Sequence, residues 1–413
     1  MNIIANHAKG KELKKDALLI SAKAKEAKAQ DSSVIDSTLG SFYYEDGSFS
    51  CHKTVRDIMD SLKDTEKYSY SPSKGTNAFE NATISWMFQD FEEEFRKEMA
   101  IKAIPTPGGT GALSNAVNNA TEYGETVLIP IPCWGPYVGL CESRGRKVEK
   151  FSLFKDDAFN FEDLKAKAEK IIEKQNKLVV IINDPCNNPS GYTMSKEEIN
   201  QLIELFNSYK DVPVVFIYDC AYIDMSSDGF YGSREKLTPF TKANENVMIL
   251  IAMSYSKSFF VYGQRLGAQV ILSKNKEEVL EFYNAANFFA RNTWSNCNKS
   301  GISLVEKIGG NPENQKAVKE EIENVVQLLK KRADVFVNEA KEIGLKHFPF
   351  SSGFFITIPC KNVDLVLDKL VEDEKLFLIP VQTGVRVAIC SLPLGGVYGV
   401  AAKIKRVIDK YDN

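Results

Sequence analysis

The apolar segments in the middle of this chain, separated by helical patterns, constrain its fold more than any other feature. They are 126-TVLIPI-131, 177-KLVVIIN-183, 213-PVVFIYD-219 and 247-VMILIAM-253. Because they are almost continuously apolar and do not alternate with polar residues, we expect strands that are buried on both faces. The helical pattern 195-SKEEINQLIELFNSYK-210 lies between two of them, with Ser195 as N-cap and Glu198 at the capping-box position. Such alternation predicts an α/β fold with a mostly parallel central sheet.

The regions on either side of this core predict a smaller α+β domain. Residues 11–30 have a Lys/Ala-rich helical pattern, and the polar residues 36–49 predict an extended arm or loop. The C-terminal part predicts one or two long helices, two short strands and a further helix, at residues 312–344, 354–358, 385–390 and 362–374. We therefore expect a large domain at residues 48–310, and a small domain with an N-terminal arm at residues 1–47 and 311–413.

Charge and composition exclude several classes of function. The 413 residues include 52 Lys and Arg against 55 Asp and Glu, so the net charge of −3 gives no electrostatic case for a nucleic-acid or membrane-surface partner. No apolar run reaches the length of a membrane span, and the N-terminus lacks the apolar region of a signal peptide. The eight cysteines include no CxxC pair, so we expect neither a metal site nor a disulfide framework. A cytoplasmic protein is the simplest expectation.

Lys257 follows the last of the apolar segments, in 249-ILIAMSYSKSFFVYGQRLGAQV-270. A lysine at the end of a buried strand is costly unless its amine is neutral or covalently used. Hydroxyls at Ser254 and Ser256, together with Arg265, would form an anion site that suits a phosphate group. An amine beside a phosphate site is what a Schiff base with pyridoxal phosphate requires. A surface lysine just beyond a strand is the alternative interpretation of this segment alone.

Other strand ends carry residues of the same kind. Gly109 and Thr110 open a helix in 105-PTPGGTGALSNAVNNA-120, where backbone N–H groups could hold a phosphate. A dinucleotide fingerprint is the competing interpretation, although Ser114 stands at the position of its third glycine. Asn188 in NNPSG supplies a neutral donor, and Asp219 is a carboxylate that needs a partner such as a protonated pyridine nitrogen. Because ligands bind at the carboxyl ends of strands in open α/β sheets, we expect these residues to converge on one site.

Taken together, these segments resemble the class I aminotransferases, which are pyridoxal-phosphate-dependent enzymes of fold type I. The resemblance extends from about Asp16 to Arg386 and is closest to the aspartate and aromatic aminotransferase branch. The resemblance is specific because four motifs, GGTGAL, NNPSG, DCAY and SYSK, occur in the right order, with Arg265 after the last of them.

The resemblance implies a role for each matching residue. Lys257 would be the Schiff-base lysine and proton carrier, Asp219 the partner of the pyridine nitrogen, and Tyr222, with Asn188, a donor to the ring oxygen. The remaining cofactor-binding positions that it implies are Trp134 as the stacking ring, the phosphate site of Gly109, Thr110, Ser254, Ser256 and Arg265, and Tyr70 reaching the phosphate of a neighbouring subunit. The substrate-binding positions that it implies are Arg386 and Gly40 at the α-carboxylate, Arg291 of the other subunit at a side-chain carboxylate, and Trp134 and Asn188.

The family pattern therefore predicts a homodimeric enzyme that transfers the amino group of L-aspartate, or a related L-amino acid, to 2-oxoglutarate. The chain departs from the pattern at Tyr137, where these enzymes often carry a histidine behind the pyridine-binding aspartate. We consider four other functions: an aromatic amino acid aminotransferase, a pyridoxal phosphate lyase or decarboxylase, a non-enzymatic cofactor-binding regulator, and a nicotinamide-dependent enzyme suggested by the glycine turn alone.

Overall fold

A seven-stranded sheet forms the centre of the molecule, and its strand order follows the predicted alternation with helices. The computed structural model describes residues 3–12 and 16–412. The strands of the described chain are Ile35–Asp36 (β1), Ala100–Pro107 (β2), Thr126–Ile131 (β3), Lys147–Ser152 (β4), Phe154–Lys155 (β5), Ala158–Phe159 (β6), Leu178–Asn183 (β7), Val214–Asp219 (β8), Val247–Ser254 (β9), Leu266–Ser273 (β10), Phe355–Pro359 (β11), Leu376–Phe377 (β12), Ile379–Val381 (β13) and Gly384–Ala388 (β14).

Helices cover the sheet on both sides and make up most of the C-terminal region. They are Ala17–Gln30 (α1), Lys53–Ser61 (α2), Asp64–Lys67 (α3), Asn77–Phe88 (α4), Glu92–Glu98 (α5), Gly108–Ala120 (α6), Pro136–Glu142 (α7), Phe161–Gln175 (α8), Lys196–Ser208 (α9), Gly229–Glu235 (α10), Tyr255–Ser258 (α11), Lys276–Thr293 (α12), Lys299–Gly309 (α13), Pro312–Glu342 (α14), Val363–Glu374 (α15), Leu394–Val397 (α16) and Val400–Tyr411 (α17). Within the described ranges, none of these helices is both long and apolar enough to cross a bilayer.

The central sheet confirms the prediction of a mostly parallel α/β fold. Its order is β2-β10-β9-β8-β7-β3-β4. The predicted strands agree with β3, β7, β8 and β9 to within one residue at each end, and every residue of β7, β8 and β9 is buried. Burial on both faces explains why these segments read as continuous apolar runs. Strand β10 is antiparallel to both of its neighbours, a direction that its composition does not encode.

Local capping signals set several helix limits. Ser195 caps α9 and forms the predicted capping box with Glu198. The predicted N-terminal helix was too long, since α1 begins at Ala17 after Asp16, whose side chain accepts a hydrogen bond from the Leu18 amide at 2.8 Å. Residues 13–15 of that predicted helix lie outside the described residues. The region at 312–344 forms one helix, α14, with Asn311 as its cap.

A second apolar core lies between α14, α15, α17 and the antiparallel sheet β11-β14-β13. The N-terminal arm joins this part of the molecule, because β1 pairs in parallel with β12 and Ser37 exchanges hydrogen bonds with Ala388. These contacts agree with the predicted small domain, whose limits of 1–47 and 311–413 include residues 1–2, 13–15 and 413 outside the described chain. The division into two domains stays a prediction.

Candidate active site

A cavity of about 310 Å³ lies where the carboxyl ends of the central strands meet the N-terminal arm. Most of the strand-end residues singled out in the sequence line it: Gly40, Gly109, Thr110, Trp134, Asn188, Asp219, Tyr222, Ser254, Ser256, Lys257 and Arg265. Arg386 lines the adjoining, wider cavity of about 1100 Å³, which also reaches Trp134, Asn188 and Arg265. The convergence expected from the strand ends is therefore present in the fold.

Lys257 presents its amine to this cavity from the short helix α11, directly after β9. Its Nζ donates a hydrogen bond to the Gly40 carbonyl oxygen at 3.1 Å and lies 4.5 Å from the centroid of the Tyr262 ring. Burial is the main cause that lowers the pKa of Lys257 to about 8, and the Arg265 and Arg386 guanidinium groups act in the same direction. The neutral amine, which is the form that attacks a carbonyl carbon, is therefore far more abundant near physiological pH than in an ordinary lysine, although the protonated form still predominates.

Asp219 ends β8 and is buried below the same cavity. Its Oδ2 accepts a hydrogen bond from the Tyr137 hydroxyl at 2.5 Å, and its Oδ1 accepts one from the Ala221 amide at 3.2 Å. Burial raises the pKa of Asp219 to about 6, although both hydrogen bonds oppose that shift. A carboxylate in this position favours a cationic partner, because it faces the cavity without a cation of its own.

Asn188 and Arg386 are hydrogen-bonded to each other beside Tyr222. One Arg386 Nη atom donates to Asn188 Oδ1 at 3.0 Å, and the other donates to the Thr38 carbonyl oxygen at 2.7 Å. Arg386 is buried and lies over the Phe355 ring, 4.0 Å from its centroid, while its Nε has no hydrogen-bond partner in the described chain. A buried guanidinium with a free N–H suits a carboxylate that arrives with a ligand.

An anion site lies between the ends of β2, β9 and β10. Arg265 donates to Ser256 Oγ at 3.3 Å and to the Tyr262 carbonyl oxygen at 2.9 Å. Gly108 has a φ of +75°, which favours glycine, and a Cβ atom there would lie 2.5 Å from the Arg265 guanidinium and displace it. The first turn of α6 points its free N–H groups into the same region. Within the described ranges no carboxylate lies within ion-pair distance of Arg265, which leaves its charge available for a phosphate.

Tyr70 and Arg291 are not part of this cavity. They line a separate surface hollow with Ser71, Ser73, Ser295 and Asn296. Tyr70 is 91% exposed, and Arg291 is exposed and hydrogen-bonded to Ser295 Oγ. The fold of one chain therefore brings these two predicted residues together, but away from Lys257.

The sequence matches the family model for aminotransferase class I and II over residues 33–402. The chain belongs to the class I and II aminotransferases. A solved structure of an aminotransferase from Anaerococcus prevotii is 31% identical, with a TM-score of 0.93, and the similarity covers 100% of both chains.

The curated relatives include aromatic-amino-acid aminotransferases and aspartate aminotransferases. An aromatic-amino-acid aminotransferase of Pseudomonas aeruginosa is 28% identical over 231 residues, which are 55% of this chain and 56% of that protein. The chain thus spans a little over half the length of that relative. An aspartate aminotransferase of the same organism is 23% identical over 280 residues, 67% of this chain and 68% of the relative.

The cofactor of this aminotransferase family is pyridoxal phosphate, and the residues around the cavity fit it. The anion site of Arg265, Ser254 and Ser256 would hold the phosphate, and the Lys257 amine would bond to the aldehyde carbon. The buried Asp219 carboxylate matches a protonated ring nitrogen, and Trp134 offers an indole face to a planar ring. The Arg386 Nε has no hydrogen-bond partner in the described chain and would remain for a substrate carboxylate.

Several residues that line this cavity were not identified as site residues from the sequence, and three of them bear most on its geometry. Asn183, the last residue of β7, donates from Nδ2 to the Asp219 carbonyl oxygen at 2.7 Å and accepts the Asn188 amide on Oδ1 at 2.6 Å. Tyr262 lies against the Lys257 amine, and Leu18 of α1 lines the cavity. A polar residue ending a buried strand is a signal for Asn183, whereas Tyr262 and Leu18 have no comparable local signal.

Proposed function

We propose that this enzyme transfers the amino group of L-aspartate, or of a related L-amino acid, to 2-oxoglutarate by a ping-pong mechanism. The observation that carries this proposal is that a lysine with a lowered pKa and a buried carboxylate line one cavity, while a buried arginine lines the cavity adjoining it. A lysine and a carboxylate serve the cofactor, and the arginine serves a substrate carboxylate. These groups act on the parts that every α-amino acid shares. The preference for one substrate side chain must therefore come from other residues.

The Arg386 guanidinium fixes the orientation of the substrate. Two of its nitrogens are already used by Asn188 and the Thr38 carbonyl oxygen, which hold the guanidinium plane in place. The free Nε then binds the α-carboxylate, and the same bond orients the α-carbon of the substrate. Because Asn188 Oδ1 accepts from Arg386, its amide nitrogen is the atom that would donate to the cofactor ring oxygen.

Proton transfer is the task of Lys257. When bound, pyridoxal phosphate supplies an electron sink for the electrons left on the substrate α-carbon, and Asp219 keeps that sink effective by pairing with the protonated ring nitrogen. The Lys257 Nζ receives the α-proton and holds it for return, which requires the neutral amine that its lowered pKa provides. Tyr222, buried beside Asn188, keeps its proton because burial raises its pKa, and its hydroxyl would donate a hydrogen bond to the ring oxygen.

We infer that the functional unit is a homodimer with shared sites. Tyr70 and Arg291 lie together in a surface hollow outside the chain's own cavity, an arrangement that suits residues acting on the site of a second copy. Arg291 of the partner would bind the side-chain carboxylate of aspartate or glutamate, and Tyr70 of the partner would bind the cofactor phosphate. We also propose that the protein is cytoplasmic and that residues 48–310 form the cofactor-binding domain.

An aromatic amino acid aminotransferase is the second candidate. Trp134, Leu18, Leu39 and Leu113 line the cavity, and they provide apolar surface for an aromatic side chain within one chain. The curated relatives include enzymes of both names. The two candidates therefore differ in whether a partner's Arg291 or this apolar surface receives the substrate side chain.

The absorption spectrum of the purified enzyme, with one amino acid added at a time, tests the proposal. We expect a visible cofactor band that disappears with aspartate and returns with 2-oxoglutarate, since each half of a ping-pong reaction proceeds without the other substrate. A band that ignores aspartate and responds to phenylalanine would support the aromatic candidate. Release of ammonia or carbon dioxide from a single amino acid would contradict transamination altogether.

A further inference from the structure

The contact between Tyr137 and Asp219 is the shortest polar contact of the buried carboxylate. Tyr137 belongs to α7, which follows the strand-end loop after β3, whereas Asp219 ends β8. Both side chains are buried, and the Tyr137 hydroxyl donates to Asp219 Oδ2 at 2.5 Å. The Ala221 amide donates to the other oxygen, and Asn183 fixes the Asp219 carbonyl oxygen. Each carboxylate oxygen thus has one donor from the protein and keeps a free lone pair.

The direction of this hydrogen bond follows from the electrostatics of the pair. Burial, followed by the adjacent Asp219 charge, raises the pKa of Tyr137 well above its usual value, so the phenol stays protonated and donates. A phenol contributes this donor as a neutral group, whereas the histidine of the family pattern can also carry a positive charge. The Asp219 carboxylate is therefore mostly ionised at neutral pH and has no compensating charge on its Tyr137 donor when a cation arrives in the cavity.

The other titratable groups around Asp219 do not replace this donor. Tyr222 and Cys220, from the loop after β8, carry their protons because burial raises the pKa of each. Cys133, next to Tyr137, has a pKa raised by burial to about 12. Lys257 and Arg265 line the same cavity, but the pKa of Asp219 is set by burial against the Tyr137 and Ala221 hydrogen bonds.

Tyr137 also contacts the indole that would cover the cofactor ring. Its ring centroid lies 5.5 Å from that of Trp134, with the two planes at 86°, an edge-to-face arrangement. Tyr137 therefore contacts both the Asp219 carboxylate, which would pair with the cofactor ring nitrogen, and the Trp134 indole, which would stack on the cofactor ring.

We propose that Tyr137 is a positioning residue that holds the Asp219 carboxylate ionised and aimed at the cofactor ring nitrogen. The inference rests on the proposed function, since it assigns the ring nitrogen to Asp219. The hydroxyl acts through Asp219 and touches neither cofactor nor substrate. Its effect is on cofactor affinity and on the pH at which that affinity is lost.

Tyr218 provides a matched control for a test by substitution. Its hydroxyl donates to Asp184 Oδ2 at 2.7 Å, both residues are buried, and neither lines the cavity. Tyr137→Phe and Tyr218→Phe each remove one buried tyrosine–aspartate hydrogen bond without changing the ring. Equilibrium binding of pyridoxal phosphate, followed by absorbance across pH, is compared with binding of its carbocyclic analogue, in which a CH group replaces the ring nitrogen.

For Tyr137→Phe we expect binding of pyridoxal phosphate to weaken by about twofold at pH 7 and by up to about tenfold well below pH 6, because one lost hydrogen bond to a charged group raises the pKa of Asp219. The pH below which affinity falls should move upward by about one unit, because Asp219 without its donor takes up a proton more readily. Binding of the carbocyclic analogue should not change. Tyr218→Phe should match the wild type for both ligands, although its melting temperature falls like that of Tyr137→Phe.

Two results would overturn the inference while leaving the proposed function intact. One is a Tyr137→Phe protein that binds pyridoxal phosphate as the wild type does, and the other is equal weakening for both ligands, which would reduce Tyr137 to a packing role. Tyr137→His, which keeps a ring N–H donor, should bind within a few-fold of the wild type, and weakening equal to that of the Phe variant counts against the inference. A wild-type protein that fails to bind pyridoxal phosphate would overturn the proposed function itself.

Discussion

At the scale of single residues, the environment of Lys257 determines when its amine can react. The Nζ has a carbonyl oxygen and an aromatic ring as its neighbours, and burial lowers its pKa from the usual 10.5 to about 8. Only the neutral amine attacks the cofactor aldehyde, and the neutral fraction grows as pH rises through that pKa. We therefore expect the rate of cofactor association with the apoprotein to rise with a midpoint near pH 8. A stopped-flow series measures it, with Lys257→Arg as the non-reacting control, and a midpoint close to 10.5 would contradict the expectation.

The cost of burying charge made the reactive residues predictable from sequence. Lys257 and Asp219 lie at the ends of segments that must be buried. Because an isolated buried charge is unfavourable, we could expect each to have a partner or a chemical role. Tyr137 was recognisable only as a departure from the family pattern, because its partner lies 82 residues further along the chain. Asn183 was missed for a related reason, since its side chain supports a backbone oxygen of a neighbouring strand.

At the scale of elements, apolar continuity predicted the strands buried on both faces, and it failed where direction mattered. Every residue of β10 is buried, as in β9, yet β10 runs antiparallel between β2 and β9. Its reversal places Gly267 opposite Thr106 on one side and Ser254 on the other, at the strand ends that form the anion site. A periodicity argument reports which residues are buried, but it contains nothing about strand direction or order.

Gly267 should therefore control the shape of the anion site. A Cβ atom there would lie 2.5 Å from the Gly108 carbonyl carbon and 2.6 Å from the Met253 carbonyl oxygen. Gly267→Ala must push the backbone at Gly108 and the end of β9 away from β10, so we expect a loss of about 1–3 kcal/mol in unfolding free energy and a clearly weaker affinity for pyridoxal phosphate. Gly263→Ala is the matched control, since a Cβ atom there meets nothing within 4 Å. Denaturant titration and cofactor binding measure both effects, and equal behaviour of the two variants would refute the close-contact argument.

At the scale of the whole molecule, sequence reasoning cannot tell which residues of one chain serve the site of another. The family pattern assigned Tyr70 and Arg291 to the active site of a neighbouring subunit, and the fold of one chain puts them in a hollow apart from Lys257, so this assignment stays a prediction. The same limit applies to the predicted domains, because contacts such as that of Ser37 with Ala388 join segments from opposite ends of the chain. Both questions concern long-range geometry, which local patterns of burial and capping do not encode.

Mixed dimers decide whether Arg291 acts across subunits. Lys257→Ala leaves a chain whose own site is inactive but whose Arg291 is intact, and Arg291→Ala leaves a chain with the reverse defect. If Arg291 serves the partner's site, a dimer of one chain of each kind contains one complete site, made of Lys257 from one chain and Arg291 from the other.

We therefore expect aspartate activity to appear when the two inactive or weakened proteins are unfolded, mixed and refolded together. Activity toward phenylalanine supplies the control, since Arg291→Ala alone should retain it and mixing should add nothing. If Arg291 acts within its own chain, no pairing completes a site, and mixing would give no gain toward aspartate.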